Sequence, residues 1–226
     1  MSSPNIFRVS GDVIHIISFL FLYARLHKSK TTTGVSSSTI DAYLLVFMTR
    51  YVDLFWNMTS QYNSILKIMF LLSSFFCSVK VHFLPRCDKE IVSLIYILIP
   101  SLFVAAFRIA WWNNFELMYF EFLWSFSIAL ETFAILPQLF LIQRKGCIEN
   151  LTANYVISLA MYKTLYIANW IYRYIYEHHP TIIFVWVCGC VQALLYLDFA
   201  YYYIRSRVMK SKCVFVQPEE ELKSSV

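Results

Sequence analysis

The sequence predicts an all-α membrane protein, a seven-transmembrane-helix bundle made of two three-helix bundles and a linking helix (3+1+3). Three observations lead there. Of 226 residues, 59% are hydrophobic and only 15% charged, where a soluble domain of this size carries about a quarter charged residues. The mean hydropathy is +0.56. Apolar segments within the ~17–25 residues a helix needs to cross a bilayer recur seven times, and the second and sixth resemble each other weakly, as parallel repeats do.

The expected spans are roughly 5–26, 39–58, 61–83, 92–110, 116–142, 151–176 and 180–204. Residues 1–205 form the membrane domain and 206–226 a polar tail with the acidic run Glu219-Glu220-Glu221. The N-terminus has no basic stretch before its first apolar run, so no cleavable leader is expected and the first helix serves as its own targeting signal. The net charge of +5 is spread between the apolar segments rather than along one face, which argues against nucleic acid.

Orientation follows from basic residues in short loops. The first connector carries Arg25, Lys28 and Lys30, the third Lys80, Arg86 and Lys89, the fifth Arg144 and Lys145, and the tail Arg205, Arg207, Lys210 and Lys212. The even connectors have little: Arg108 lies near the fourth and Arg173 near the sixth. The odd connectors and the tail are therefore expected in the cytosol, with the N-terminus lumenal or extracellular. Of two glycosylation sequons, Asn57-Met58-Thr59 falls on the non-cytosolic side and Asn150-Leu151-Thr152 on the cytosolic side, so Asn150 is expected to be unmodified. The six cysteines show no metal-binding or CxxC spacing and imply no disulfide framework. Cys188 and Cys190 read as small packing residues.

Charges inside the apolar segments carry the functional signal. Met48-Thr49-Arg50-Tyr51-Val52-Asp53-Leu54-Phe55-Trp56 puts a guanidinium and a carboxylate three residues apart, on one helix face, within the second span. A charge at membrane depth costs about 2.5–3.5 kcal/mol on insertion scales, and is retained where it faces a protein interior or a watery cavity. Three more spans carry polar stripes at helical spacing: Arg8, Asp12 and His15; Glu121, Trp124 and Glu131; Lys163, Tyr166, Trp170 and Arg173. Snorkelling explains Arg8 and Arg173 near a boundary, and helix-to-helix salt bridges are a second structural reading. Snorkelling does not account for Arg50, Glu131 and Lys163 deep in their segments, and the number of charges argues against salt bridges alone. Arg8, Arg50, Lys163 and Arg173 facing Asp12, Asp53, Glu121 and Glu131 would form a balanced, hydrated site. Arginine suits carboxylates because its planar fork binds them bidentately. His15 is the natural pH switch, since imidazole ordinarily titrates near 6.5. Pro137-Gln138 interrupts the fifth span and is expected to kink it. No nucleophile elbow, P-loop, zincin or dinucleotide motif is present, so no catalytic residues, metal or cofactor are expected.

Taken together, Asn5-Ile6-Phe7-Arg8 with Gly11-Asp12, Thr49-Arg50-Tyr51-Val52-Asp53-Leu54-Phe55, Ala134-Ile135-Leu136-Pro137-Gln138-Leu139 and Asn169-Trp170-Ile171-Tyr172-Arg173 resemble the KDEL receptor family, the ER lumen protein-retaining receptors. The resemblance runs from about Asn5 to Arg205. It implies a fold similar to that of SWEET and PQ-loop transporters. It also implies a receptor that binds the C-terminal Lys/His-Asp-Glu-Leu of soluble ER proteins in the acidic Golgi and returns them to the neutral ER by retrograde vesicles.

By the same resemblance, Arg50 with Tyr51 takes the terminal carboxylate, Arg8 the signal's Glu and Arg173 its Asp. Asp53 and Glu121 meet the positive first residue, flanked by Trp124 and Trp170; Tyr166 belongs to the same signal-binding set, and Lys163 helps pass the incoming carboxylate from Arg173 to Arg50. His15 senses pH, and Glu131 with Tyr162 locks the bound state. Lys210 and Lys212 of the tail recruit coatomer. Two features depart from the family pattern. Lys163 stands where arginine is usual, keeping the charge and losing the fork; the tail also runs on past its lysines through Cys213 to Val226. The alternative is a SWEET/PQ-loop-like carrier of a small solute. A neutral-sugar path has no need of Arg8, Arg50 and Arg173, whereas a peptide end with three carboxylates does.

Overall fold

The computed structural model describes residues 5–55, 60–110, 118–178, 182–208 and 214–215. It is helical almost throughout. The elements are α1 (Ile6–Ser29), α2 (Ser37–Arg50), a 3-10 turn over Val52–Phe55, α3 (Gln61–Phe83), α4 (Leu94–Ala110), α5 (Met118–Phe133), α6 (Leu136–Lys145), α7 (Asn150–Tyr176) and α8 (Ile183–Val208). Two short strands, β1 (Cys147–Ile148) and β2 (Val214–Phe215), pair antiparallel, with Cys147 opposite Phe215. The sequon at Asn57 and the tail residues Lys210, Lys212 and Glu219-Glu220-Glu221 lie outside the described residues.

The helices group into two compact units. One contains residues 1–29 and 141–226, the other 30–140. In the first, α1 packs along α7, and α7 against α8. The buried face of α1 is Gly11, Asp12, His15, Ser18, Phe19, Leu22, Arg25 and Leu26, a three-to-four-residue repeat that keeps one stripe on its partner. Lipid tails are as apolar as leucine, so close van der Waals fit rather than apolar burial holds such helices together. Two glycines show that fit. A Cβ on Gly11 would stand 3.3 Å from the Tyr166 ring, and one on Gly189 of α8 would stand 2.5 Å from Trp170. At its far end α1 is tied to α7 through Arg25, which is buried; its Nη2 is 3.1 Å from Glu149 and its Nε donates to Thr152 Oγ1 at 3.2 Å.

In the second unit α2 packs against α3 and α5, and α4 against α5. The start of α2 is capped twice. Ser36 Oγ accepts from the Thr39 N–H at 3.3 Å. The Glu90 carboxylate accepts from the Ser37 N–H, from Ser37 Oγ at 2.7 Å and from the Ser38 N–H at 3.2 Å. A carboxylate on a helix N-terminus satisfies orphan N–H groups and opposes the helix dipole. Burial pushes the Glu90 carboxyl up, but the hydrogen bonds from Ser38 and Ser37 outweigh it and hold the group below its ordinary value.

Two expected spans are broken. The second, expected over 39–58, ends as an α-helix at Arg50. Thr49 Oγ1 bonds back to the Leu45 carbonyl at 2.8 Å, the Tyr51 N–H closes the last turn on Phe47, and a 3-10 turn follows. Side-chain bonds of that kind bend and weaken helices. Arg50 and Asp53 therefore do not share a face of one α-helix. The fifth span, expected over 116–142, divides into α5 and α6, as Pro137 predicts: its ring cannot tolerate the carbonyl four residues back, at Phe133. Gln138 turns the break into a joint. Its N–H donates to Thr39 Oγ1 at 3.1 Å, its Nε2 to the Gly34 carbonyl at 2.8 Å, and its Oε1 accepts from the Ser36 N–H at 2.8 Å.

Four helical stretches are long and apolar enough to cross a membrane: Ile6–Ser29, Gln61–Phe83, Met118–Lys145 and Ile183–Arg205; Leu94–Ala110 is a shorter apolar helix. Exposed apolar side chains cover them, among them Ile65, Leu72 and Phe76 on α3 and Ile183, Leu194 and Leu197 on α8. An apolar surface of that extent belongs in lipid. One expectation about covalent structure is overturned. Cys147 is disulfide-bonded, while Cys77, Cys87, Cys188 and Cys190 are free thiols; the sixth cysteine, Cys213, lies outside the described residues. Cys188 is buried as a packing residue, and Cys190 is exposed.

Candidate functional site

In the unit formed by α1, α7 and α8, the structure brings the polar stripes of α1 and α7 against each other. Asp12 accepts a hydrogen bond from the Tyr166 hydroxyl. His15 is buried and lies flat on Tyr162, ring centroids 3.9 Å apart and planes 3° from parallel, with Phe19 stacked at 5.3 Å. Lys163 is also buried, its Nζ 5.0 Å from the Tyr162 ring centre. His15, Tyr162, Lys163 and Tyr166 are thus brought together around one ring pair. A ring face is a favourable neighbour for a cation, so Tyr162 suits both Lys163 and a protonated imidazole.

Nearer the start of α1, Asn5 Oδ1 accepts from the Arg8 N–H at 3.0 Å, and Asn5 Nδ2 donates to Asn169 Oδ1 at 2.8 Å. This fixes the first turn of α1, and with it Arg8, against α7. Arg8 is half-buried. Trp170 leans on Trp186 with centroids 6.3 Å apart. Arg173 donates from Nε to Glu177 at 3.0 Å, one turn on.

In the unit formed by α2 to α5, Arg50 is the last residue of α2, where a cation is favoured by the helix dipole. Its Nη2 stands 2.6 Å from Glu131 Oε2, and its Nε donates to Ser127 Oγ at 3.1 Å. Ser127 in turn donates to the Trp124 carbonyl, so Arg50 is oriented by three residues of α5. Glu131 is buried, with side-chain exposure of 6%, against 22% for Arg50. Tyr51 stacks on Phe47. Asp53 pairs with Lys67 at 2.6 Å, and Lys67 also lies 5.7 Å from the Tyr51 ring centre. Glu121 pairs with Arg108 at 3.4 Å.

The expected balance of four cations against four carboxylates is therefore realised with other partners. Arg50 does meet Glu131, but Asp12 meets a tyrosine, Asp53 a lysine of α3, Glu121 an arginine of α4, and Arg173 its own helix's Glu177. Lys67, Ser127, Asn169 and Glu177 were not singled out by the spacing of charges. Lys67 is the one charge deep in its apolar span, away from Lys80 near the end, and the polar neutral residues carry no pattern at all. Arg108 stood out only as a connector charge.

Known proteins are similar to this chain over nearly its whole length. A family model described as ER lumen protein retaining receptor matches residues 31–173. The chain is 44% identical over 203 residues to ER lumen protein-retaining receptor A of Arabidopsis thaliana, covering 88% of this chain and 93% of that one. It is 38% identical over 214 residues to the ER lumen protein-retaining receptor of Entamoeba histolytica, with coverage of 93% and 98%. It is 40% identical over 212 residues to ER lumen protein-retaining receptor 3 of Xenopus tropicalis, with coverage of 92% and 96%.

Proposed function

Because the chain belongs to the ER lumen protein-retaining receptor family, we propose that it binds the C-terminal retrieval signal of soluble ER proteins at Golgi pH and returns them to the ER. The signal, Lys/His-Asp-Glu-Leu, offers three carboxylates. Arg50 takes the terminal one, beside Tyr51; Arg8 takes that of Glu, and Arg173 that of Asp. Asp53, Glu121, Trp124 and Trp170 receive the first residue, and Lys163 and Tyr166 line the path of the incoming carboxylate. The observation that carries this reading is the near-full-length similarity to retaining receptors, with Arg8, Arg50 and Arg173 all in helices.

The geometry supports a carboxylate-exchange step. Arg50 already holds a carboxylate, that of Glu131, at 2.6 Å. An incoming peptide terminus offers the same chemistry and takes Glu131's place on the fork, so the guanidinium is never left without a counter-ion, a state that would be strongly unfavourable. Glu131 then needs a new partner, and the Tyr162 hydroxyl fills that role in the locked state. Protonation of His15 on the Tyr162 face favours the same state at acid pH. Arg173 makes an analogous exchange with Glu177.

The full arrangement proposed is seven spans as 3+1+3, with the N-terminus lumenal and the tail cytosolic, where Lys210 and Lys212 recruit coatomer. The test is peptide binding to the purified protein at about pH 5.5 and 7.5, bracketing the ordinary histidine pKa. Tight, acid-favoured binding of Lys-Asp-Glu-Leu or His-Asp-Glu-Leu peptides, abolished by C-terminal amidation, is expected. Absence of binding in folded protein at both pH values would overturn the reading.

A further inference from the structure

Both carboxylates assigned to the signal's first residue already hold a cation of this chain. Asp53 has Lys67 at 2.6 Å, and Lys67 is held from a second side by the Tyr51 ring, 5.7 Å away. Glu121 has Arg108 at 3.4 Å. The first pair joins the 3-10 turn to α3, the second α4 to α5. Three of the four side chains are about one-fifth exposed, 21% for Lys67, 22% for Arg108 and 21% for Glu121, and only Asp53 reaches 50%.

Charge balance decides what such a site can recognise. Two carboxylates alone would attract a positive first residue with a double negative charge. Each carboxylate sums to zero with its resident cation, so an incoming ammonium meets dipolar pairs in place of a double negative charge. To gain a full ion pair it must displace Lys67 or Arg108, and each displaced cation loses a partner as the new one gains it. Lys67 loses its ring contact as well.

We propose that Lys67 and Arg108 are specificity-determining residues, resident counter-cations that remove the reward for positive charge at the first signal position. The receptor then accepts C-terminal tetrapeptides with a neutral, hydrogen-bonding first residue about as readily as those that begin with lysine. This rests on the receptor reading and refines one subsite of it.

The test compares peptides ending Lys-Asp-Glu-Leu and Gln-Asp-Glu-Leu, with an amidated control, on the full-length protein at acid pH. The native protein is expected to bind the first two within about threefold of each other, as befits a site where charge pairing is already satisfied. Arg108→Met and Lys67→Met should each shift the ratio towards the lysine peptide by about tenfold. Arg108→Lys keeps the counter-charge and should keep the native ratio, which a purely structural role for Arg108 would not predict. A native preference for the lysine peptide above about tenfold, or ratios unmoved in both methionine variants, overturns the inference and leaves the receptor reading standing. If folded native protein fails to distinguish free from amidated peptides, the receptor reading falls and this inference with it.

Discussion

Arg50 and Glu131 form an ion pair of 2.6 Å between the last residue of α2 and a buried position on α5. The pair sets a guanidinium beside a carboxylate, the starting arrangement of the proposed exchange. Arg50→Lys keeps the charge but loses the planar fork and the Nε bond to Ser127. Peptide affinity should fall about 10–100-fold, with yield of folded protein reduced far less, because a point charge cannot pair bidentately. Titration of the variant by calorimetry checks this; native affinity would remove Arg50 from the carboxylate site.

His15 lies between Phe19 and Tyr162, with Asp12 one turn earlier on the same face and Lys163 beside the same tyrosine. His15→Ala should flatten the pH dependence of peptide binding between about pH 5.5 and 7.5, the range in which imidazole charges. Tyr162→Phe retains the ring face and should retain the His15-dependent slope while losing the hydroxyl assigned to Glu131. An unchanged profile in His15→Ala would move the sensor to another group.

Gly189 has no room for a side chain. A Cβ there meets Trp170 at 2.5 Å, so Gly189→Ala should destabilise the packing of α7 on α8 by about 1–3 kcal/mol, the usual range for overpacking. Thermal unfolding in detergent reads this as a lowered midpoint. The double variant Gly189→Ala, Trp170→Phe should recover part of the loss, since the smaller ring vacates the contact.

Glu90 makes stability depend on pH with a definite sign. Its carboxyl is held below its ordinary value by the hydrogen bonds from Ser38 and Ser37 at the start of α2. The contribution is full above the ordinary carboxylate value of about 4.3 and is lost as pH falls through the lower folded value. Glu90→Gln should therefore be less stable than the native protein at pH 7, and the gap should close as pH falls through the lowered folded value. A gap that persists unchanged at low pH would mean that charge on Glu90 is not what caps α2.

The stripes on α1 and α7 were legible because helical spacing alone puts Arg8, Asp12 and His15 on one side of α1 and Lys163, Tyr166, Trp170 and Arg173 on one side of α7; that these two sides meet was not. The break at Pro137 was legible for the same local reason. What could not be read was the partner of each charge. Lys67 with Asp53 and Arg108 with Glu121 depend on the register between neighbouring helices, and sequence spacing within one helix does not contain it. The joint at Gln138 is a stronger case: its bond to Ser36 spans 102 positions, and an isolated glutamine beside a proline gives no sign of it. The continuous second span failed because apolar content persists beyond Arg50, while the side-chain bond from Thr49 to the Leu45 carbonyl and the 3-10 turn that follows leave no trace in hydropathy. The disulfide at Cys147 has no spacing signature either.

The fastening of α2 at one end has a mechanical result. Gln138 and Glu90 grip residues 34–39, while Arg50 sits at the opposite tip. Arg50 therefore lies at the end of an arm of about 20 Å from the gripped end, at 1.5 Å per residue. On that arm a tilt of about 5° sweeps Arg50 through about 2 Å. That travel is enough to part a guanidinium from one carboxylate and present it to another. Under the proposed exchange, the side chains that hold the gripped end bear on Arg50's change of partner without touching a ligand.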